Sequence, residues 1–530
     1  MTELDGFADF RTGAIKPPRQ PKLVSQIERF IQQFPEAAVH RQALQLLGSD
    51  WVYAAPDPAN VECWVVYIRF GPVIERLFSL TREIVAYYSP YRDLQIRTYD
   101  RLERLVASGA RTVTPDFRAM YSRDDEADKK LRDWARGAVT TLSLNLPKDD
   151  PVEAASSLFS SLAEVLSTRD LYYETLPVTG DDFFGRRLML LSLLRDIREH
   201  RVCGIFGLRK SGKTSIVRQV FTELDQSSDR WSMAFVDLET LPDPPQDPVP
   251  ELIRRVTGAL IPALQTHQLR THELRHLPQA STLEEFARAM KASLVDAERQ
   301  DVRVLLALDE VEFMLAGDVN DVRRAGVAQF LAVIRSLVQE HPSFLALFSG
   351  LTNSLVEAGR LFGRPNPFYS WAKPYFVAPL QREESVDLVT TLGRRMALSW
   401  SPETLDLLYQ VTDGHAFYLR NLASMVVAGM PPRQRLFEVD RSLVEAALPR
   451  WRRATAVRVR EIFETLDVYY PDERTLLDIA MEAPADLDAI AEAHPTEVDH
   501  LLHLGLLNES SNGVMSVGSL LSLGRGGRLG

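Results

Sequence analysis

The residues Gly207-Leu208-Arg209-Lys210-Ser211-Gly212-Lys213-Thr214 match the spacing G-x-x-x-x-G-K-[ST] in full. Each residue type has a chemical reason to be there. Gly207 and Gly212 let the backbone bend around an anion, so that the N–H groups of Lys210, Ser211, Gly212 and Lys213 can point inward. Lys213 brings an ammonium group to the β and γ phosphates of a nucleotide, and the Thr214 hydroxyl is placed to ligate Mg²⁺. The elements needed to hold such a turn flank it. Arg201–Phe206 (RVCGIF) reads as a short apolar strand, and Thr214–Leu224 as an amphipathic helix whose positive end adds to the site. A glycine-rich strand–helix turn without a ligand is the bland alternative.

About a hundred residues on, Val302–Glu310 (VRVLLALDE) is an apolar run ending in two acids. Asp309 would join the metal's ligand shell, and Glu310 would polarise an attacking water as general base. Two terminal acids facing solvent are the alternative. A further strand, Phe344–Phe348, leads into Ser349-Gly350 and then Thr352 and Asn353. Ser349 is the first candidate to sense a terminal phosphate and position water, and Asn353 the second. Both could equally cap the next helix. Arg360 and Arg364 follow, where a neighbouring subunit's phosphate could be reached, although solvated loop arginines explain them as well.

The whole chain must supply the framework. Its 530 residues exceed one core and imply three or four domains. A composition that is 45% hydrophobic and 25% charged is globular rather than disordered or fibrous. The formal net charge of −11 excludes a generally basic, nucleic-acid-coating protein. Two cysteines, Cys63 and Cys203, exclude a disulfide framework or a cysteine-rich zinc site and suit a reducing cytoplasm. No apolar stretch is long enough for a membrane span, so a cytoplasmic protein without membrane contact is expected. The N-terminal segment to about Tyr173 is expected as an α/β unit with a parallel, Rossmann-like sheet. Its strands are read at Val61–Phe70, Glu83–Ser89, Phe117–Ser122 and Val139–Leu144, and its helices at 92–108, Asp124–Arg136 and Val152–Leu166. Beyond Pro379 short amphipathic helices follow at Arg382–Ala397, Pro402–Val411 and Phe417–Gly429.

With these features in place, the sequence resembles the AAA+-related STAND ATPases, signal-transducing switch NTPases common in bacteria, and also origin-recognition-type ATPases. The resemblance runs from Phe183 to the C-terminus. It rests on Phe184-Gly185-Arg186, the loop FGLRKSGKTS ending in Ser215, Asp309-Glu310, and Gly414-His415-Ala416-Phe417, which is similar to the helical-domain G-x-P motif with Ala416 in place of proline. The resemblance implies that Gly185 and Arg186 pack on adenine, that His415 contacts nucleotide, and that Ser215 belongs to the phosphate site. It also implies ATP/ADP and Mg²⁺ as cofactors, an ADP-bound resting form, self-association on activation, and roles in regulation or antiviral defence. Asp472–Val517 resembles a winged helix, with helices at Glu473–Glu482, Leu487–Ala493 and Thr496–Leu504 and a hairpin at Ser511-Asn512-Gly513. That third helix carries Glu497, Asp499, His500 and His503 and no lysine or arginine, which favours packing or a protein partner over DNA. The cluster Arg450, Arg452, Arg453, Arg458 and Arg460 reads as a solvated helix face or a phosphate patch.

The expected fold class is a multidomain α/β chain: an α/β sensor or effector domain (1–175), a P-loop ATPase core with a parallel sheet (176–380), a helical lid (381–438), and a helical linker with a winged-helix-like domain (439–530). The expected function is an ATP-dependent molecular switch. A DNA-bound origin-recognition or transposition-regulator ATPase is one alternative. An effector nuclease or NAD-cleaving enzyme under ATPase control is another. For the nuclease, Pro115-Asp116 and Asp128-Lys129-Lys130 have the letters of a P-D…[DE]-x-K site, although Asp124–Arg136 has the charge pattern of an exposed helix. Tyr87–Asp93 follows a buried strand where a ligand crevice could open, with Glu75, Arg76, Arg97 and Asp100 as possible lining.

Overall fold

A computed structural model describes residues 20–523, apart from 79, 108–112, 115–116, 135–139, 169, 174–175, 243–245, 279–280, 317, 319–320, 397, 431–437 and 510–513. The chain forms two compact units. The first contains residues up to Tyr173 together with Val389–Leu405 and Asn421–Ala447. The second contains Glu174–Leu388, Asp406–Arg420 and Leu448–Gly530. The stretch expected as a lid, 381–438, therefore contributes helical segments to both.

In the first unit the strands β1 (Asp50–Asp57), β2 (Asn60–Arg69), β3 (Ile84–Ser89), β4 (Phe117–Ser122) and β5 (Thr140–Ser143) lie side by side in sequence order. The strands β3, β4 and β5 run parallel, as expected, but β1–β2 and β2–β3 are antiparallel. The sheet is mixed, which corrects the parallel Rossmann-like expectation. Two pairings depart from it: β2 against β3, both expected as strands, and β1 against β2, where β1, with its Ala54-Ala55-Pro56-Asp57, lacks the β-branched pattern of a strand. Its two-residue connection to β2 can only reverse direction. The alternation of β2 and β3 sends Trp64, Val66, Ala86 and Tyr88 to one core, under the helices Gln20–Gln33, Glu36–Leu46 and Pro151–Thr168. Cys63, Val65, Val85 and Tyr87 face the other, under Ile96–Ala107 and Ala127–Trp134.

The second unit is built on β6 (Cys203–Phe206), β7 (Trp231–Asp237), β8 (Arg303–Asp309), β9 (Phe344–Gly350) and β10 (Lys373–Phe376). All neighbours are parallel, in the order β10-β6-β9-β8-β7. Near-continuous apolar strands such as Val304–Leu308 are what a sheet covered on both faces requires. Because β9 lies between β6 and β8, the carboxyl ends of all three converge on one edge. At the end of the Pro-rich stretch 241–250 a helix starts at Val249 with Pro250 in its first turn, a position that needs no N–H; residues 243–245 of that stretch lie outside the described residues. The C-terminal segment has helices Pro471–Glu482, Leu487–Ala493 and Pro495–His503, then the antiparallel pair β11 (Leu507–Glu509) and β12 (Met515–Val517). The expected turn at 511–513 lies outside the described residues.

Candidate active site

From Phe206 the chain turns through 207–212 into the helix Lys213–Asp225. Gly212 has φ +98°, a backbone angle that demands glycine, and a Cβ there would lie 2.7 Å from Arg186 Nη1 and displace that guanidinium. Lys213 is buried, and its Nζ donates to the carbonyls of Gly207 and Leu208 at 3.1 Å each. Burial pulls the Lys213 ammonium below its ordinary pKa, against the charges of Glu310, Glu312 and Asp309. The Gly207 N–H donates to the Gly350 carbonyl at 3.3 Å, tying the loop to β9. Ser211 Oγ is buried without a hydrogen-bond partner, while Ser215 Oγ accepts from the Val178 N–H at 3.1 Å.

Opposite the loop, Thr214 Oγ1 donates to Asp309 Oδ2 at 2.7 Å across 95 residues of sequence. Asp309 is 2% exposed, and its second oxygen, Oδ1, has no partner. Ser349 comes up beside it from β9, 1% exposed, with its hydroxyl also unpartnered. Burial raises the Asp309 pKa, and the nearby Ser349 and Thr214 hydroxyls pull it back. A buried carboxylate oxygen with nothing to bind, beside a threonine hydroxyl, is a hard oxygen donor set of the kind Mg²⁺ completes with substrate phosphates and water. Among the described residues no group of three or more His, Cys, Asp or Glu could hold a metal.

Glu310 directly follows β8 with φ +56°, an unusual angle for a residue with a side chain. Burial, then the neighbouring Glu312, pushes its carboxyl up to about 8. The sequence alone does not single out Glu312, the third acid of Asp309-Glu310-Val311-Glu312. It is 1% exposed, its Oε2 accepts from the Leu351 N–H at 2.9 Å, and its Oε1 has no partner. The Leu351 carbonyl in turn accepts from Tyr470 Oη at 2.9 Å, and the same oxygen accepts from the Asn353 N–H at 3.0 Å. The Asn353 side chain is turned away, donating to Glu357 at 2.7 Å, which removes it as a phosphate sensor. Arg360 and Arg364 are exposed on a short strand pair.

On the other side of the loop, the Arg186 N–H donates to Glu384 Oε1 at 2.7 Å, and its guanidinium reaches the Ala378 carbonyl at 3.2 Å. Burial pulls its pKa down to about 10. Gly185 has φ +69°, and a Cβ there would lie 2.7 Å from Leu380 and 2.8 Å from Glu384. His415 is 8% exposed with neither ring nitrogen partnered; burial, then the Arg186 charge, pushes its pKa down to about 3. With Leu208, Pro379, Asp413 and Leu520 it lines a cavity of about 10 Å³, space for about one water molecule. Lys210, at φ +59°, rests its Nζ on the Phe417 ring at 4.4 Å.

The third C-terminal helix turns His500 and His503 onto the Phe376 ring, at 5.4 and 5.2 Å. In the first unit, Pro115 and Asp116 lie outside the described residues, and Asp128 and Lys129 are exposed on their helix. Lys130 pairs with Asp93 and Asp124, and Arg97 is exposed. Tyr87 Oη and Arg101 both donate to the buried Asp57. No described helix is long and apolar enough to cross a membrane.

Residues 178–426 match the family model for novel STAND NTPase 1. No curated protein matches the chain. Among solved structures, a Walker-type ATPase of Pyrococcus abyssi is 16% identical, with 67% of this chain and 99% of that one covered and a TM-score of 0.48. The ORC2 protein of Aeropyrum pernix, in ADPNP–ADP complexes, is 15% identical over 66% and 96%, with a TM-score of 0.39. The ORC1 protein of the same organism, in complex with DNA, is 14% identical over 69% and 96%, with a TM-score of 0.34.

Proposed function

We propose, from the premise that residues 178–426 are a STAND-class P-loop ATPase module, that this protein is an ATP-dependent molecular switch. The observation that carries the reading is the 2.7 Å bond from Thr214 to Asp309, which brings the hydroxyl after the phosphate lysine against the acid of a separate strand. In this reading the loop Gly207 to Thr214 cradles the polyphosphate with the amides of Lys210, Gly212, Lys213 and Thr214, while the Gly207 and Ser211 N–H groups hold the turn on the Gly350 and Leu208 carbonyls. Lys213 leaves the carbonyls of Gly207 and Leu208 for the outer phosphates, and Ser215 closes the first helical turn. Mg²⁺, when bound, neutralises phosphate charge; Thr214 and Asp309 would hold it, and the unpartnered Asp309 Oδ1 suits that task. Glu310 takes the proton of the attacking water, while Ser349 orients that water or reads the terminal phosphate. Gly185, Arg186 and His415 bound the base side of the site.

The same reading gives the N-terminal α/β unit a sensing or effector role, and the chain a change of conformation or self-association when ADP is exchanged for ATP. The C-terminal winged-helix-like segment acts as a packing or protein-binding module, because its third helix lacks basic residues and its histidines are engaged on Phe376. The test is direct. Lys213→Ala should abolish ATP binding in equilibrium titration, and Glu310→Gln should bind ATP yet hydrolyse it at least about a hundredfold more slowly. Undiminished turnover in both purified variants would refute the assignment.

A further inference from the structure

We propose that Arg458, on the long helix Arg441–Tyr469, is a nucleotide-binding residue that forms with Lys210 a second cationic clamp on the polyphosphate. The two cations share one aromatic ring. Lys210 Nζ lies 4.4 Å from the Phe417 centroid and Arg458 Cζ 5.2 Å from it. Among the described residues neither side chain has a hydrogen-bond or salt-bridge partner, whereas Arg441, on the same helix, pairs with Glu445. Arg458 is half-buried, while Arg450, Arg452, Arg453 and Arg460 around it are exposed.

Two like charges held on one ring repel one another, Glu461 on the same helix offsets the repulsion at Lys210 by less than Arg458 adds, and a ring face compensates by only about 0.5–2 kcal/mol per cation. The arrangement is poised for an anion. Lys210 belongs to the phosphate loop, so the anion within reach is the polyphosphate of the nucleotide bound there. The placement of the helix gives this consequence. Twelve residues beyond Arg458, about 18 Å along a helical path, Tyr470 grips Leu351 and Asn353 at the end of β9. One segment thus touches the loop side and the hydrolytic side of the site, and a phosphate drawn to Arg458 pulls on both. The basic cluster of the sequence resolves accordingly: one arginine faces the site, and its neighbours face solvent.

This inference rests on the nucleotide reading above, and the experiment separates the two. ATP and ADP affinities are measured by calorimetry with Mg²⁺ on the full chain. Arg458→Gln, which keeps the stem over Phe417, should weaken ATP binding about tenfold, with ADP weakened less. Arg458→Lys should recover most of the loss, and the exposed Arg452→Gln should bind like wild type. Arg458→Gln within about twofold of wild type for ATP, or weakened no more than Arg452→Gln, would overturn the proposal while leaving the ATPase reading intact. A wild-type chain that binds no ATP would overturn both.

Discussion

Tyr470→Phe removes one oxygen atom and should be felt in both stability and turnover. The hydroxyl accepts from the Asn353 N–H at 3.0 Å and donates to the Leu351 carbonyl at 2.9 Å, in a side chain 5% exposed. The phenylalanine ring can keep its edge contact with His500, now at 4.4 Å between centroids, so packing changes little. What is lost is the partner of two backbone groups. Leaving a buried polar group unpaired costs about 1–3 kcal/mol, so the pair should cost roughly 2–4 kcal/mol once water relieves part of it. In a unit of this size that lowers the melting temperature by roughly 3–6 °C. Turnover follows because Leu351 also donates its N–H to Glu312, beside Glu310. Freed at its carbonyl, Leu351 no longer fixes Glu312, and kcat should fall about three- to tenfold while ATP affinity stays within about twofold. Calorimetric melting and steady-state ATP hydrolysis read both effects. A variant that melts with wild type and turns over ATP at the wild-type rate would falsify the claim that this hydroxyl ties the C-terminal segment to the hydrolytic residues.

Two other outcomes follow from residues away from that clamp. Gly212→Ala forces a side chain into φ +98° and a Cβ against Arg186, so ATP binding should fall at least about tenfold at a cost of about 1–3 kcal/mol in stability, seen in titration and urea unfolding. His40 is buried, and desolvation holds its pKa down at about 4, below the 6.5 of an exposed imidazole. On acidification the unfolded chain takes up that proton first. Stability should therefore fall as pH drops from about 6.5 to about 4, by up to about 3 kcal/mol in total. His40→Gln should flatten that part of the pH profile in urea unfolding.

The candidate site was legible wherever the chemistry depends on residues close together in sequence. Gly207 to Thr214 form one turn, and Asp309-Glu310 end one strand; both lie where residue type and apolar run indicated. The strands Phe117–Ser122 and Phe344–Gly350 were legible for the same reason, since short apolar runs with aromatic residues fit a buried pleated surface. Asn353 was misjudged because its amide can be satisfied locally, and the structure gives it to Glu357 four residues on. Glu312 and Tyr470 carry no local signal, and the basic cluster does not distinguish Arg458 from its neighbours. The significance of all three comes from what they meet 39, 119 or more residues away in the chain. The mixed first sheet was not legible for two reasons: β1 contains Ala54, Ala55 and Pro56, which have weak strand propensity, and the apolar runs of β2 and β3 carry no mark of their relative direction, which their antiparallel pairing decides.

By itself the sequence determined a phosphate-cradling turn, an acid-tipped strand about a hundred residues on, and an alternating strand–helix framework to hold them. Backbone freedom at glycine, fixed charge and hydrophobic period are properties of neighbouring residues and need no tertiary information. Only the tertiary structure decided that β9 enters between the strands of the loop and the acid, that Thr214 meets Asp309, and that Arg458 shares the Phe417 ring with Lys210 while Tyr470 meets Leu351 and Asn353. Those facts depend on which apolar faces bury one another across hundreds of residues. Hydrophobic burial is non-directional, so the pattern of apolar residues demands that the faces be covered without stating by what.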